Sequence, residues 1–390
     1  MLAVETKVLV RKAQKPDAKR IAEIYSSVFG EAGIKAAGHE PYPAPDMFSV
    51  EGIIRVIEDP DRELLVVEAD NIVGGGMVIH RLSPYHVEFA CVAVDPSFRG
   101  LGLSPRLLQG ARKIAAASLL TLNNTEIVTH SIHSQCAHAR AGYHRVTGFN
   151  FCQYPRVFFK NHEESCSWVS RQDGSVVERL KGNCANQSAQ TEEELALYQS
   201  LKDPRQVFVP ETMTSVARKI LDQFADTLSY EVSSKVNESI AATSANYEAI
   251  SLDEQPGEPF SYLYLPGEQP KENTYSELEQ LIEKAKALPG KHYIQARLSA
   301  NSKACIDYAE FLEKHDFLFM GLLPLYNHKV DETTGNIIFG DVLLMQWICP
   351  DVLKRNSLPG ETDSVPKLHG FPLGINGAII KTMRAQLNRA

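Results

Sequence analysis

The 390-residue sequence contains no apolar run that approaches the ~20 residues of a membrane-spanning helix. Its first residues, Met1–Lys7, lack the basic-then-apolar pattern of a signal peptide. Basic residues are nowhere densely clustered and the formal net charge is −8, which argues against a nucleic-acid-binding surface. We therefore expect a cytoplasmic protein that binds neither membranes nor nucleic acids.

Several common motifs are also missing. The seven cysteines are scattered and form no Cys-x-x-Cys pair, which argues against a disulfide framework and a zinc ribbon. The sequence has no Gly-x-Ser-x-Gly elbow of a hydrolase, no Gly-Lys-Ser/Thr ending of a triphosphate loop and no Gly-x-Gly-x-x-Gly of a dinucleotide fold. The function must therefore be sought in another kind of loop.

A glycine-containing loop of a different kind joins a predicted strand to a predicted helix. Phe89–Val94 is an apolar, β-prone run, Asp95–Ser97 has turn chemistry, and helical periodicity starts at Leu103. Because the first turn of a helix leaves backbone N–H groups unpaired, this junction suits an anion such as a diphosphate. The bland alternative is a helix-capping loop that binds nothing. The loop residues that would contact a diphosphate are Arg99, Gly100, Leu101, Gly102, Leu103 and Ser104.

The order of these loop residues resembles the signature of the GNAT superfamily of acyl-CoA N-acyltransferases. That signature, Arg/Gln-x-x-Gly-x-Gly/Ala, follows a strand ending in Val-x-Pro, and here it reads from Arg99 to Ser104. Ser104 stands where Gly or Ala is usual. The predicted element order, β-α-α-β-β-β-α-β-α-β, also matches the superfamily. The resemblance implies an α/β fold with a mixed sheet.

The length of the chain exceeds what one core usually organises, so we expect two tandem GNAT-like domains. The N-terminal acyltransferase domain is predicted over residues 1–180 and a polar linker over 181–206. Residues 207–352 repeat the α/β rhythm without the glycine loop, and we interpret them as a degenerate GNAT-like domain that does not bind acyl-CoA. The tail, residues 353–390, ends in a predicted short helix, Ile379–Leu387. This helix could cover a groove or a partner, but a frayed terminus is the more frequent outcome.

Three local predictions depend on composition. Strands are predicted at Thr125–Ile132 and Ala245–Ile250. Three glycines, Gly74–Gly76, fall inside a third predicted strand, which indicates a bulge or a closely approaching backbone. In the superfamily, the region around the proline-rich loop Gly38–Met47 lines the acceptor pocket, so Tyr42 is a candidate substrate contact; a buried tyrosine in a surface loop is the alternative.

The resemblance implies acetyl-CoA, or another acyl-CoA, as co-substrate and no metal. The backbone of Val92, Ala93 and Val94 would pair with the pantetheine amides while the loop holds the diphosphate. We predict an enzyme, an N-acetyltransferase that transfers the acetyl group by direct attack of a small-molecule or peptide amine. A homodimer is compatible with this prediction. The alternative is a non-catalytic acyl-CoA-binding sensor or assembly protein.

Transfer to an amine needs a general base, and Glu88 is the first candidate because many members of the superfamily carry a glutamate at this strand position. An edge residue facing solvent is the alternative for Glu88. In the superfamily a tyrosine four residues before the glycine of a Gly-Phe pair often acts as the general acid, and two alignments of this motif are possible here. If Gly142 and Tyr143 are the pair, His138 stands at the acid position. If Gly148 and the following phenylalanine are the pair, Tyr143 lies one residue away from that position. His138 could protonate a thiolate near neutral pH.

Histidines at 130, 133 and 138 also invite a metal interpretation. The spacing crosses a predicted strand end and a helix start, and no carboxylate or cysteine completes a ligand set. Cys91 and Cys136 could accept an acyl group, but buried inert thiols are the simpler interpretation without a nearby base. We therefore predict no metal site and no thiol nucleophile.

Overall fold

The computed structural model shows an α/β protein built on one continuous twelve-stranded sheet, with a separate two-stranded sheet beside it. No helix within the part of the chain that it describes is both long and apolar enough to cross a bilayer. The structure describes residues 7–30, 45–117, 122–128, 132–154, 166–173, 205–235, 247–256, 260–355 and 373–387, with a few positions between 191 and 201.

Residues 7–173, the first region, form one half of the large sheet, in the order β1-β2-β3-β4-β5-β7-β6. The pairs are antiparallel except β4 with β5, which is parallel. Its strands are β1 Val8–Lys12, β2 Arg62–Ala69, β3 Ile72–Ser83, β4 His86–Val94, β5 Leu122–Val128, β6 Arg145–Tyr154 and β7 Cys166–Asp173. Its helices are α1 Ala18–Phe29, α2 Val50–Glu58, α3 Leu103–Ala117 and α4 Ile132–Arg140.

Residues 205–387, the second region, continue the sheet as β6-β13-β14-β12-β11-β10, while β8 and β9 pair separately. Its strands are β8 Arg205–Phe208, β9 Tyr230–Ser233, β10 Ser251–Asp253, β11 Phe260–Leu265, β12 Tyr293–Ser299, β13 Leu318–Val330 and β14 Ile337–Ile348. Its helices are α5 Glu211–Leu221, α6 Glu272–Ala287, α7 Ala304–Lys314, α8 Pro350–Arg355 and α9 Leu373–Leu387.

The second region repeats a pairing order of the first. In the first region the pairs β3–β4, β5–β7 and β7–β6 are antiparallel, and the pair β4–β5 between them is parallel. From β10 the second region runs in the same sequence of orientations through β11, β12, β14 and β13. Helices α3 and α6 connect the parallel pairs, and α4 and α7 follow them in the chain. The interpretation of the second region as a degenerate GNAT-like domain stays a prediction.

The two regions join where β6 meets β13, at Gly148 opposite Gly321. A Cβ on Gly321 would lie less than 3.0 Å from the Gly148 Cα and from the preceding carbonyl oxygen, so the close approach depends on this glycine. The Gln223 side chain accepts a hydrogen bond from the Val146 N–H (2.8 Å) and donates one to the Val146 carbonyl (2.6 Å). Val146 and Phe149 of β6 are buried in the core of the second region. The two regions therefore share a core.

Some predicted elements differ from the observed ones. The strand predicted at Thr125–Ile132 starts earlier, at Leu122, because β5 takes its register from β4 and β7. Ile132 belongs to α4 instead, where helical hydrogen bonds replace those of the sheet. In Ala245–Ile250 the described part makes only an isolated bridge at Tyr247, and the strand lies just beyond it, in β10.

The predicted fraying of the C-terminal helix is wrong. Ile379 and Met383 of α9 have no solvent exposure and belong to the core of the second region. Gln386 accepts a hydrogen bond from the Phe319 N–H at 2.8 Å. The helix packs against α5, β6 and β13, so burial of its apolar side holds the end of the described chain in place.

Candidate active site

A fork between β4 and β5 lies at the centre of the first region. The two strands pair only where His86–Glu88 runs beside Leu122–Asn124. Beyond this point β4 continues to Val94 and β5 to Val128, but no further pairing joins them. Within the described residues, the backbone of β4 after Glu88 therefore has a strand partner only on the β3 side.

A bulge in β4 accompanies the fork. Cys91 has a left-handed backbone (φ +55°), and the register with β3 shifts between Ala90 and Ala93. The Tyr25 hydroxyl of α1 donates a hydrogen bond to the Cys91 carbonyl. Because a bulge bends its strand and increases the local twist, it turns the end of β4 away from β5. The sequence analysis did not predict this bulge.

The glycine loop follows β4 and opens onto solvent at the start of α3. Gly100 and Gly102 are both left-handed (φ +86° and +68°), and an added Cβ on either would meet nothing within 4 Å. Arg99 is exposed, and Leu101 keeps 44% of its surface exposed. Leu103 begins α3 and is buried. The loop thus has the open backbone and the helix terminus that suit an anion; its role in binding stays a prediction.

The glycine run in β3 holds this loop against the sheet. A Cβ on Gly74 would lie 2.9 Å from side-chain atoms of both Phe98 and Leu103. A Cβ on Gly75 would lie 2.7 Å from the Ala93 carbonyl oxygen. The close approach expected from three consecutive glycines therefore exists, and it fixes the loop beside the end of β4.

Glu88 lies at the base of the fork, on the sheet face that also carries Glu126. Glu88 of β4 pairs with Asn124 of β5, which in turn pairs with Gln172 of β7, so the three side chains share one face of the sheet. Glu126 lies two residues after Asn124 on β5 and therefore points to the same face. Burial raises the pKa of Glu88, and the positive charge of Arg297 opposes that shift. Burial raises the pKa of Glu126 to about 8, and the neighbouring Glu88 charge adds to the shift.

Arg297 of β12 faces these carboxylates from the second region. Its guanidinium lies over the Tyr262 ring, 4.1 Å from the ring centroid. It donates hydrogen bonds to Gln295 Oε1 (2.8 Å) and to the Tyr326 hydroxyl (3.1 Å). The register also places Tyr264 directly opposite Arg297. A cation among aromatic rings thus forms the wall across from Glu88 and Glu126.

His86 belongs to the same face and touches the second region. It is 2% exposed, and its ring packs edge-on against Tyr326 with the centroids 4.9 Å apart. Burial lowers the pKa of His86 to about 3, with a further contribution from the Arg297 charge. His86 is therefore neutral near pH 7, and its Nε2 has no hydrogen-bond partner in the described structure.

His138 and Tyr143 lie on the opposite face of the fork from Glu88. His138 is 3% exposed, with Nδ1 2.8 Å from the Ser134 carbonyl oxygen and Nε2 3.2 Å from Thr125 Oγ1. Tyr143 is fully buried, and its ring packs edge-on against those of His138 and Phe89 at 5.8 Å. The structure brings the two candidate acids together, but their role in catalysis stays a prediction.

Two other candidates lie outside the described residues. The first is Tyr42, together with the proline-rich loop up to residue 44, and the second is His130. His133 is described and is exposed. The structure therefore does not test the acceptor-loop prediction or the histidine spacing.

Sequence reasoning missed the residues of the wall across from Glu88. A signal for them exists, because β11 and β12 carry polar groups at every second position of otherwise apolar strands. Tyr262 and Tyr264 alternate with buried leucines, and Gln295 and Arg297 alternate in the same way on β12. Alternation of this kind marks one face of a sheet as polar. Glu126 had no such signal, because the four residues Asn123–Glu126 of β5 are all polar.

Comparison with known proteins finds a similarity in the first region. Residues 19–149 match the family model described as the acetyltransferase (GNAT) family. No curated protein matches the chain. Since the family model falls entirely within the first region, it leaves the second region unassigned.

Several solved structures resemble part of the chain. One is yncA, a putative acetyltransferase from Salmonella typhimurium solved with acetyl-CoA, with 19% identity over 42% of this chain and 92% of that chain (TM-score 0.34). Another is the ribosomal-protein-alanine N-acetyltransferase from Brucella melitensis, with 18% identity, 42% and 98% coverage and a TM-score of 0.34. A third is the spermidine N-acetyltransferase from Vibrio cholerae in complex with CoA and spermine, with 15% identity, 42% and 94% coverage and a TM-score of 0.34. These likenesses are weak, so only the family model supports a similarity to acetyltransferases.

Proposed function

We propose, from the match of residues 19–149 to the model of the acetyltransferase (GNAT) family, that this chain transfers an acetyl or other acyl group from acyl-CoA to an amine. The observation that carries the proposal is the open fork between β4 and β5. It leads from the glycine loop at the start of α3 to Glu88 at its base.

The loop supplies the anion site of this proposal. Gly100 and Gly102 expose backbone at the N-terminus of α3, and Arg99 adds a charged, forked donor beside them. The edge of β4 at Val92, Ala93 and Val94 supplies amide and carbonyl groups in the direction of the fork. A chain that carries amides, as pantetheine does, can pair with such an edge in the manner of an added strand.

Glu88 is the general base of the proposed reaction. The amine must be neutral to form its bond to the thioester carbonyl carbon, so a base must take one of its protons. The C–S bond then breaks, and the thiolate leaves and is protonated. A carboxylate whose pKa is raised by burial holds that proton better near neutral pH than an ordinary glutamate does.

His138 or Tyr143 would protonate the departing thiolate. Both are buried beside the fork, and His138 reaches it through Thr125, whose hydroxyl lies 2.9 Å from the Phe89 carbonyl oxygen. Phe89 is the first residue of β4 beyond the paired segment. The proton source therefore lies on one side of the fork and the base on the other.

The test is release of CoA from acetyl-CoA with a panel of amines, compared between the native protein and Glu88→Gln. We expect kcat about 100-fold lower in the variant, with unchanged acetyl-CoA affinity. In the native protein kcat/KM should rise with pH through the raised pKa of Glu88, because only the ionised carboxylate accepts a proton. The variant should lose that dependence, whereas Glu51→Gln, an exposed position on α2, should behave as the native protein.

An unaltered pH profile in Glu88→Gln would remove Glu88 as the base. Saturable acetyl-CoA binding without CoA release from any amine would contradict the enzymatic proposal as a whole. It would instead favour a non-catalytic acyl-CoA-binding sensor or assembly protein.

A further inference from the structure

Carboxylates of the first region and a guanidinium of the second region face one another in a partly accessible space between them. We call this space the interior chamber, and its six defining side chains are Glu88, Glu126, Tyr262, Tyr264, Arg297 and Tyr326. We propose that the acceptor bound in the interior chamber is a free amino acid, whose carboxylate binds Arg297 while its amine faces Glu88. This inference rests on the proposed function and names its substrate class.

The side chains of the interior chamber keep partial contact with solvent. All six side chains are neither buried nor fully exposed, although they lie between two halves of the sheet. The two sides are close enough for charges to act across the space, since the Arg297 charge influences the pKa of both Glu88 and Glu126. The ring contact between His86 and Tyr326 joins the two sides directly. A small molecule in the chamber would therefore contact side chains of both regions.

Arg297 has the contacts of a ligand-binding group. Within the described residues no carboxylate oxygen lies within 4.0 Å of its nitrogens, and both of its hydrogen bonds go to neutral groups. These bonds use Nε and Nη1, which leaves Nη2 for a further acceptor. The Tyr262 ring fixes the guanidinium plane from one side. A planar, pre-oriented guanidinium is the group that binds a carboxylate most specifically.

Glu88 and Glu126 have complementary features for an amine. Neither accepts a hydrogen bond or forms an ion pair within 4.0 Å with any described residue. The register places them on one face of neighbouring strands, so an ammonium group between them would gain charge-assisted bonds from both. Such a group would relieve the repulsion between the carboxylates.

The balance of charge favours a zwitterion over a polyamine. With both carboxylates ionised the chamber carries a net charge of −1, and with one of them protonated it is neutral. In either state a ligand that carries both an amine and a carboxylate meets an opposite charge at each end. A polyamine would bring positive charge against Arg297 in a partly buried space, where like charges repel strongly.

Two deeply buried side chains on this face have polar atoms without a partner in the described structure. Gln172 has no solvent exposure, and neither its Nε2 nor its Oε1 has a hydrogen-bond partner in the described structure. It lies on the same face as Glu88 in the register, two strands away. His86 Nε2 is also without a partner on that face. Buried polar groups are normally satisfied, so these atoms have capacity for a further hydrogen bond, to a buried water or to a ligand.

The experiment compares amino acids with their decarboxylated counterparts in the CoA-release assay. The probes are the twenty proteinogenic L-amino acids and matched amines, such as lysine with cadaverine, tyrosine with tyramine and histidine with histamine. We expect kcat/KM for at least one amino acid to exceed that of its amine by 100-fold or more. The α-amide of that amino acid should behave as the amine does, because it also lacks the carboxylate.

The Arg297 variants then locate the source of the preference. Arg297→Gln should raise KM for the preferred amino acid and reduce its preference over the matched amine to less than tenfold. Arg297→Lys should keep an intermediate preference, since it retains the charge without the planar fork. Arg218→Gln, on the exposed face of α5, should leave the preference unchanged.

The outcomes separate the two proposals. If amines are acetylated as well as their amino acids, or if Arg297→Gln keeps the full preference, the amino-acid inference is overturned and the transferase proposal stands. If acetyl-CoA binds but no acceptor releases CoA, the transferase proposal fails and takes the inference with it. The comparison on the native protein decides the case even where a variant fails to fold.

Discussion

The parallel pairs β4–β5 and β11–β12 occupy corresponding places in the pairing order of the two regions, but they differ in how far they pair. β4 and β5 pair over three positions and then separate. β11 and β12 pair over all six positions from Phe260 to Leu265. In the first region the edge of β4 remains available, whereas in the second region the backbone of both strands is used. The same pairing order therefore produces a fork in one region and a wall in the other.

The loops that follow the two strands differ in the same direction. After β4 the loop carries two left-handed glycines and Arg99. After β11 the segment Pro266–Lys271 has no residue with positive φ, and it places Glu268 before α6. An anion would meet open backbone at α3 and an added negative charge at α6. On our proposals, the first region binds the acyl donor and the second contributes side chains that bind the acceptor.

The join between β6 and β13 offers the largest effect. Gly321→Ala should lower the free energy of unfolding by about 3 kcal/mol, because the new Cβ would lie too close to the backbone at Gly148. Chemical denaturation measures this change. Gly335→Ala is the control, since its added Cβ meets nothing within 4 Å and only a left-handed backbone (φ +70°) opposes it. Equal losses in the two variants would show that the close approach is not needed.

Charge reversal at the start of each helix tests the difference between the loops. Arg99→Glu should weaken acetyl-CoA binding by over ~1.5 kcal/mol, because it removes a charge-assisted contact and adds repulsion. Lys271→Glu makes the same change immediately before α6 and should leave the affinity unchanged. Calorimetric titration with acetyl-CoA measures both. Unchanged affinity in Arg99→Glu would show that the loop binds something else.

Much of the local structure could be predicted because short-range signals determine it. The sequence alone predicts helices at Val50–Glu58 and Ala304–Lys314 and a strand at Phe260–Leu265, because their apolar periodicity is clear. The structure has all three with these bounds. At α2 the Ser49 side chain also accepts a hydrogen bond from the Gly52 N–H, which fixes the start of the helix. The glycine loop was recognisable for the same reason, as its residues are consecutive.

The interior chamber could not be predicted, because it depends on pairings between distant parts of the chain. Arg297 faces Glu88 only because β6 meets β13 and the long sheet brings β12 opposite β4. The bulge at Cys91 was equally hidden, since it arises from a register shift against β3. A sequence shows which residues are unusual on a strand, but it does not show which strand they face.

A buried carboxylate in the interior chamber predicts a dependence of stability on pH. The pKa of Glu126 is raised in the folded state, so folding disfavours its ionised form. Stability from the protonated group is complete below the unfolded pKa and is lost as pH rises towards about 8. One pKa unit corresponds to about 1.4 kcal/mol, so Glu126→Gln should gain at least this much stability over the native protein between pH 5 and pH 8.

Denaturant titrations at several pH values measure this difference, and Glu51→Gln serves as the exposed control. The difference for the control should not change with pH. If the stability difference between Glu126→Gln and the native protein is also independent of pH, the Glu126 carboxylate is fully solvated. The interior chamber would then not differ from the exposed surface in this respect.

The smallest expected effect comes from replacing a loop glycine by alanine. Comparing Gly102→Ala with Gly290→Ala separates the cost in backbone strain from the effect on acetyl-CoA binding. Gly102 and Gly290 are both left-handed (φ +68° and +76°), and an added Cβ on either would meet nothing within 4 Å. Each change to alanine should therefore cost about 1 kcal/mol of stability through backbone strain alone. Only Gly102→Ala should also weaken acetyl-CoA binding, because Gly102 immediately precedes α3 whereas Gly290 follows α6. Equal affinities of the two variants would mean that the open backbone before α3 does not contact the diphosphate.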